Sequence, residues 1–122
     1  MAYTPYSNFA VGAALLTKDG KIYRGCNIEN ASYTPTNCAE RTAFFKAVSE
    51  GEREFAAIAV VGGPAGNPPV DFCYPCGVCR QVMAEFCDDD FTVLIGKSEE
   101  EIREHKLSDI LPLTFREKDL YR

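Results

Sequence analysis

Apolar and polar positions divide the chain into short runs of two kinds. Val11 to Thr17 is a compact apolar run and Ile22 to Asn27 reads as a second strand. The turn-forming Lys18-Asp19-Gly20 lies between them, so the pair predicts a β-hairpin. Asn27 to Asn37 is polar, contains Pro35, and predicts a loop. From Cys38 to Glu50 the spacing turns helical. Ala39, Ala43 and Ala47, with Phe44 and Val48, form an apolar stripe, and Gly51 stands where a helix would stop. Phe55 to Val61 is a continuous apolar run of strand length, expected to be buried on both faces. Gly62 to Val70 is dense in glycine and proline and predicts a surface loop. Val78 to Phe86 predicts a second helix, opened by Pro75 and Gly77. Phe91 to Gly96 predicts a strand, and Ser98 to Lys106 a charged helix.

The resulting order is hairpin, helix, strand, helix, strand, helix. That alternation favours an α/β sandwich with part of its sheet parallel and helices on both faces. At 122 residues the chain predicts a single domain spanning 1–122 with one modest core.

Charge and composition narrow the partners. A net charge of −5 with no basic run argues against a nucleic-acid groove, so a nucleobase substrate would be a free small molecule. No apolar stretch approaches the ~18 residues of a membrane-spanning helix. Met1 to Tyr6 has neither the basic start nor the apolar run of a signal peptide, which predicts a cytoplasmic, reducing location. Six cysteines in that setting point to metal ligation or catalysis more than to a disulfide framework.

The chemistry concentrates in Cys38-Ala39-Glu40 and Pro75-Cys76-Gly77-Val78-Cys79. A C-x-x-C step lets two thiolates from one helical turn reach one ion, and Cys38 can supply a third. Three protein ligands plus a water is the usual make-up of a catalytic Zn²⁺ site. Both segments fall where helices are predicted to begin, and the positive end of the helix dipole favours thiolate over thiol. Three thiolates leave such a centre net negative, which opposes ionising a bound water. A nearby cation is therefore required, and Arg41 is the better candidate than Arg80. Glu40, two residues past a ligand, can reach the water and move protons to a ring nitrogen and a leaving amine. A Cys or His, then Glu, then P-C-x-x-C is a known pattern of zinc deaminases, in which the Glu is a non-ligand acid/base.

Four segments carry a family resemblance: Tyr3 to Gly12, Gly25 to Tyr33, Cys38 to Thr42 and Pro75 to Val82. They resemble the small homotetrameric cytidine deaminases, and the likeness runs from Ala2 to about Leu120. The resemblance implies a three-layer α/β/α sandwich around a mixed five-stranded sheet. It also implies hydrolysis of cytidine and 2'-deoxycytidine to uridine and 2'-deoxyuridine plus ammonia, a step of pyrimidine salvage. Zinc-activated hydroxide would attack C4, with Glu40 as proton shuttle. Asn27 and Glu29 would bind the ribose and Phe9 would pack on the nucleoside. The N–H groups around Ala39, the carbonyl of the residue before Cys76, and Glu40 would read the base. Ala31, Tyr33 and Phe115 would reach a neighbouring subunit's site. The chain departs from the family in starting at Met1, immediately before the Ala-Tyr-x-Pro-Tyr segment, where relatives carry a further helix. Either that helix was lost, or the chain was trimmed or its start chosen late; missing it would expose apolar surface.

Other readings remain open at this level. Cys26 or Cys73 could close a structural zinc site, and the two overlapping C-x-x-C steps of Cys73 to Cys79 could hold an iron–sulfur cluster or a redox dithiol. An aminonucleoside-antibiotic deaminase of the blasticidin type shares both cysteine segments. His105 is expected to be a solvated surface residue, and Cys26 and Cys87 small core residues.

Overall fold

Alternation along the first strand sets the architecture. Ala13, Leu15 and Thr17 are buried while Gly12, Ala14 and Leu16 between them are only half-buried, so one face of the sheet takes the core. The computed structural model describes residues 1–33, 35–69 and 71–120; Thr34 and Val70, within two of the predicted loops, lie outside that set. The elements are β1 (Phe9–Thr17), β2 (Ile22–Cys26), α1 (Ala39–Ser49), β3 (Phe55–Pro64), α2 (Gly77–Phe86), β4 (Thr92–Gly96), β5 (Ile102–Lys106) and the short α3 (Leu107–Ile110) and α4 (Glu117–Leu120).

The sheet is five-stranded and mixed, in the order β2-β1-β3-β4-β5. Only β3 and β4 pair in parallel; the other neighbours are antiparallel. Gly12 pairs with both Cys26 and Val61, so β2 and β3 finish at the same end of the sheet. The helix that follows each of them starts from that end, which brings the N-termini of α1 and α2 together.

The core lies between one sheet face and these helices. Ala13, Leu15, Ile58, Val60, Val93 and Ile95 meet Ala39, Ala43, Phe44, Ala47, Met83 and Ala84 in one cluster. Phe44 anchors it, with ring centroids 5.2 Å from Phe55 and 6.1 Å from Phe86. α1 sits very close to β2 because Gly25 has no side chain. A Cβ there would stand 2.6 Å from the Ala43 nitrogen and would collide with the Ala39 carbonyl.

The hairpin, α1, α2 and β4 form where the apolar pattern placed them, and the α/β class with a mixed five-stranded sheet holds. Several expectations need correction. Ser98 to Lys106 is not a helix. Ser98 Oγ accepts the Glu100 and Glu101 N–H groups in a turn, and Ile102–Lys106 then adds an edge strand to β4. Its alternation sends Arg103 and His105 to the core face, where they pack on Phe72 and Tyr74. His105 is accordingly half-buried rather than solvated, its ring 5.7 Å from Tyr74. The loop expected from Gly62 begins later, since Gly62, Gly63 and Pro64 still pair with Val11, Ala10 and Phe9. A Cβ on Gly62 would lie 3.0 Å from Cys73 Sγ and 3.1 Å from the Phe9 ring, so this stretch of strand needs glycine to admit both.

Among the described residues, both long helices lie on one face. The opposite face, lined by Gly12, Ala14, Ala59, Val61, Leu94, Gly96 and Ile102, is open, so the expected outer helical layer is absent from the described residues. Cys87 is buried as expected, whereas Cys26 is half-buried, and all six cysteines are free of disulfides. No helix among the described residues is long and apolar enough to cross a membrane.

Candidate active site

Cys38 is the N-cap of α1 and Cys76 the N-cap of α2, with Cys79 one turn inside α2. Neither cap residue makes a side-chain capping bond, so each sulfur is free to point away from its helix. The three sulfurs meet: Cys76 Sγ lies 3.4 Å from Cys79 Sγ and 3.7 Å from Cys38 Sγ, and all three fall within 4.8 Å of one another. Tetrahedral Zn–S bonds of ~2.3 Å separate sulfurs by ~3.8 Å, so the triangle already has the size the ion needs. Among the described residues this is the one such group of potential ligands. The donor set therefore fits Zn²⁺.

Electrostatics favours the thiolate at Cys38. The Cys79 thiol and Arg41 together bring Cys38 down to about 5, against the opposing effect of burial. Arg41 Nη2 donates to Cys38 Sγ at 3.2 Å and to the Thr36 carbonyl at 3.4 Å, which puts this cation in direct contact with the sulfur cluster. Cys79 moves the opposite way, held up as a thiol by its interaction with Cys38 and by burial. Arg80, the alternative cation, points elsewhere. Its Nε donates to the Pro75 carbonyl at 2.7 Å and its Nη1 to the Ile110 carbonyl at 2.7 Å. The carbonyl immediately before Cys76, expected to read the base, thus already accepts one hydrogen bond from Arg80.

Glu40 occupies the first turn of α1 and is only 4% exposed. Burial pushes its carboxyl up, and the negative charge of Cys38 pushes the same way. A buried carboxyl next to a thiolate cluster can accept and return a proton. Ala39 beside it is fully buried against the core. Cys73 is half-buried against Gly62, where the Phe9 ring also packs. Burial raises its thiol, helped by the charges of Glu40 and Cys38, which places it beside the cysteine cluster but outside the ligand set.

The sugar-side candidates serve the scaffold as well. Asn27 Oδ1 accepts the Val11 N–H at 3.0 Å, and its Nδ2 donates to the Phe9 carbonyl at 2.9 Å. Glu29 Oε1 accepts the N–H groups of Tyr6 and Ser7 at 3.0 and 3.1 Å, and Oε2 accepts the Ser7 hydroxyl. Both therefore grip the segment that carries Phe9, and those bonds hold the Glu29 carboxyl below its ordinary value, Ser7 contributing most. Ile28 between them pairs with Asn37 next to Cys38, tying this segment to the start of α1. Ala31, Tyr33 and Phe115 are exposed; Tyr33 adopts φ 62° with its ring 6.4 Å from Tyr6. Sequence reasoning missed Ser7 and Thr42. Ser7 closes the Glu29 cradle, and Thr42 accepts from Asn37 Nδ2 and donates to the Cys38 carbonyl. Neither carries a periodic or motif signal by itself.

Comparison with known proteins agrees with this geometry. The family model of the cytidine and deoxycytidylate deaminase zinc-binding region matches residues 1–95. A cytidine deaminase of Sporosarcina psychrophila is 56% identical over 119 residues, covering 98% of this chain and 84% of its own length. One from Halalkalibacterium halodurans is also 56% identical, covering 98% and 86%. The crystal structure of the Burkholderia pseudomallei cytidine deaminase superposes with a TM-score of 0.81 at 52% identity, covering 93% of this chain and 87% of that one. The chain belongs to the cytidine and deoxycytidylate deaminase zinc-binding family.

Proposed function

We propose that this chain, acting as one unit over residues 1–122, hydrolyses cytidine and 2'-deoxycytidine to uridine and 2'-deoxyuridine with release of ammonia. The observation that carries the reading is Glu40, buried beside three converging sulfurs at the start of two helices. Cys38, Cys76 and Cys79 would hold Zn²⁺, which supplies, when bound, the acidity that makes water a nucleophile at neutral pH. Glu40 would take one proton from the attacking water and deliver it to ring N3 as the C4–O bond forms, then carry the water's second proton to the amine as the C4–N bond breaks. Water and the nucleoside thus become the keto product and ammonia, with no other reactant. Arg41 offsets the negative charge of three thiolates through its contact with Cys38. Phe9 supplies an apolar wall, and Asn27 and Glu29, which already hold the Phe9 segment, face the sugar.

A homotetramer is part of the same reading. Tyr33 and Phe115 are 72% and 59% exposed, which leaves both rings available to reach a neighbouring subunit's site. A panel of cytidine, deoxycytidine, cytosine and blasticidin, run with metal analysis on one sample, tests the function. One zinc per chain and turnover of the two nucleosides are expected; preferential turnover of blasticidin would move the enzyme to the antibiotic deaminases. Glu40→Gln should keep the metal and lose ~10²–10⁴-fold in turnover. Full activity in that variant would sink the proton-shuttle role.

A further inference from the structure

Arg80 lies on α2 one residue beyond Cys79, yet it touches no sulfur. Its guanidinium instead spans two backbone carbonyls. The Pro75 carbonyl precedes the start of α2, and the Ile110 carbonyl ends α3, where no further helical turn supplies an N–H. Pro75 is fully buried, so its carbonyl has no water to fall back on. Cys76 follows Pro75 directly and is exposed, with no side-chain capping bond. The orientation of the Pro75–Cys76 peptide is therefore what aims Cys76 Sγ at Cys38 and Cys79.

We propose that Arg80 is a positioning residue for the Cys76 ligand: it locks the turn entering α2 against α3, so that the seat of the C-terminal segment sets the seat of one metal sulfur. A planar fork is needed to span both carbonyls, which an ammonium does not provide. The neighbouring Gln81 extends the same seam by donating to the Phe115 carbonyl at 2.8 Å. Arg116 holds the far end of α2, donating to the Ala84 and Cys87 carbonyls at 2.7 and 2.9 Å. Arg116 thus offers a control that loosens the same helix away from the ligand.

The inference rests on the reading that the three cysteines hold Zn²⁺. Cobalt substitution reads the ligand geometry directly, through the thiolate-to-metal charge-transfer band and the visible d–d bands of a tetrahedral centre. Zinc affinity is measured in parallel by chelator competition, and folding by circular dichroism. Failure of the unaltered chain to bind either metal would overturn the metal reading itself. If it binds, Arg80→Gln should shift the d–d bands and weaken zinc retention ~10–100-fold, the usual effect of losing a group that orients a ligand. Arg80→Lys, milder in charge and bulk, should recover little of this. Arg116→Ala should lower thermal stability while leaving the cobalt spectrum unchanged. Unaltered spectra and zinc affinity in both Arg80 variants would overturn the positioning role. So would full recovery in Arg80→Lys, or the same spectral change in Arg116→Ala.

Discussion

Arg41 and Glu29 each act through contacts that a sequence lists only as charges. Arg41 reaches Cys38 Sγ at 3.2 Å, so the positive charge required by three thiolates sits on the ligand itself. Arg41→Gln keeps a donor but removes the charge. Metal affinity or turnover should fall ~10–100-fold, checked by chelator competition beside kcat. Glu29 is a different case, since its carboxylate is the acceptor for the Tyr6 and Ser7 amides. Its folded pKa lies below the unfolded value, so the bonding it contributes is complete above the unfolded pKa. That contribution is lost as pH falls through the lower, folded value. The Tyr6 and Ser7 amide shifts should therefore titrate together in NMR with a midpoint below that of an ordinary glutamate, and Glu29→Gln should abolish that titration. Glu29→Ala should hurt cytidine turnover more than cytosine turnover if the same carboxylate also serves the sugar; equal losses would leave it a scaffold residue alone. The cysteines and Glu40 were legible because ligand chemistry fixes their spacing. The partners of Glu29 and Asn27 were not, because apart from the Ser7 hydroxyl they are backbone groups of Tyr6, Ser7, Phe9 and Val11, which look alike at every position.

Elements were legible in proportion to how strongly burial imposed a period. α1 shows its apolar stripe at Ala39, Ala43 and Ala47 because the sheet presses on that face. β5 deceived for the opposite reason: an edge strand with one neighbour carries Arg103 and His105 on its core side, where stems and rings pack but heads are polar. A run of charges then resembles an exposed helix, although its real period is two. The closeness of α1 to β2 was equally hidden, since a glycine in a strand announces no partner. Gly25→Ala should push α1 away from the sheet at Ala39 and Ala43 and cost about 1–3 kcal/mol in urea denaturation. Because α1 begins with Cys38 and Glu40, turnover per folded molecule should fall as well. Unchanged turnover in the folded fraction would separate the helix seat from the site.

At the scale of the whole molecule, the carboxyl ends of β2 and β3 lie at one end of the sheet, and two helix N-termini therefore converge there. That convergence was implicit in the element order, and it assembles the three sulfurs from segments far apart in the chain. The open outer sheet face was not legible: strand residues such as Ala59 and Val61 read as buried on both sides, because apolar character does not say what covers it. The proposed sharing of sites between copies makes the assembly testable without a structure of it. Glu40→Gln copies retain Tyr33 and Phe115 but lose the proton carrier, whereas Tyr33→Ala copies retain Glu40 but lose the donated aromatic. Each variant alone should be weak. Unfolded or dissociated together and reassembled, mixed oligomers contain sites with an intact Glu40 from one copy and an intact Tyr33 from its neighbour. Activity should then exceed the sum of the separate preparations and vary with the mixing ratio, greatest near equal amounts. Strict additivity at every ratio, with mixed oligomers confirmed by native mass spectrometry, would mean that each chain completes its own site, and Tyr33 would lose its assigned role.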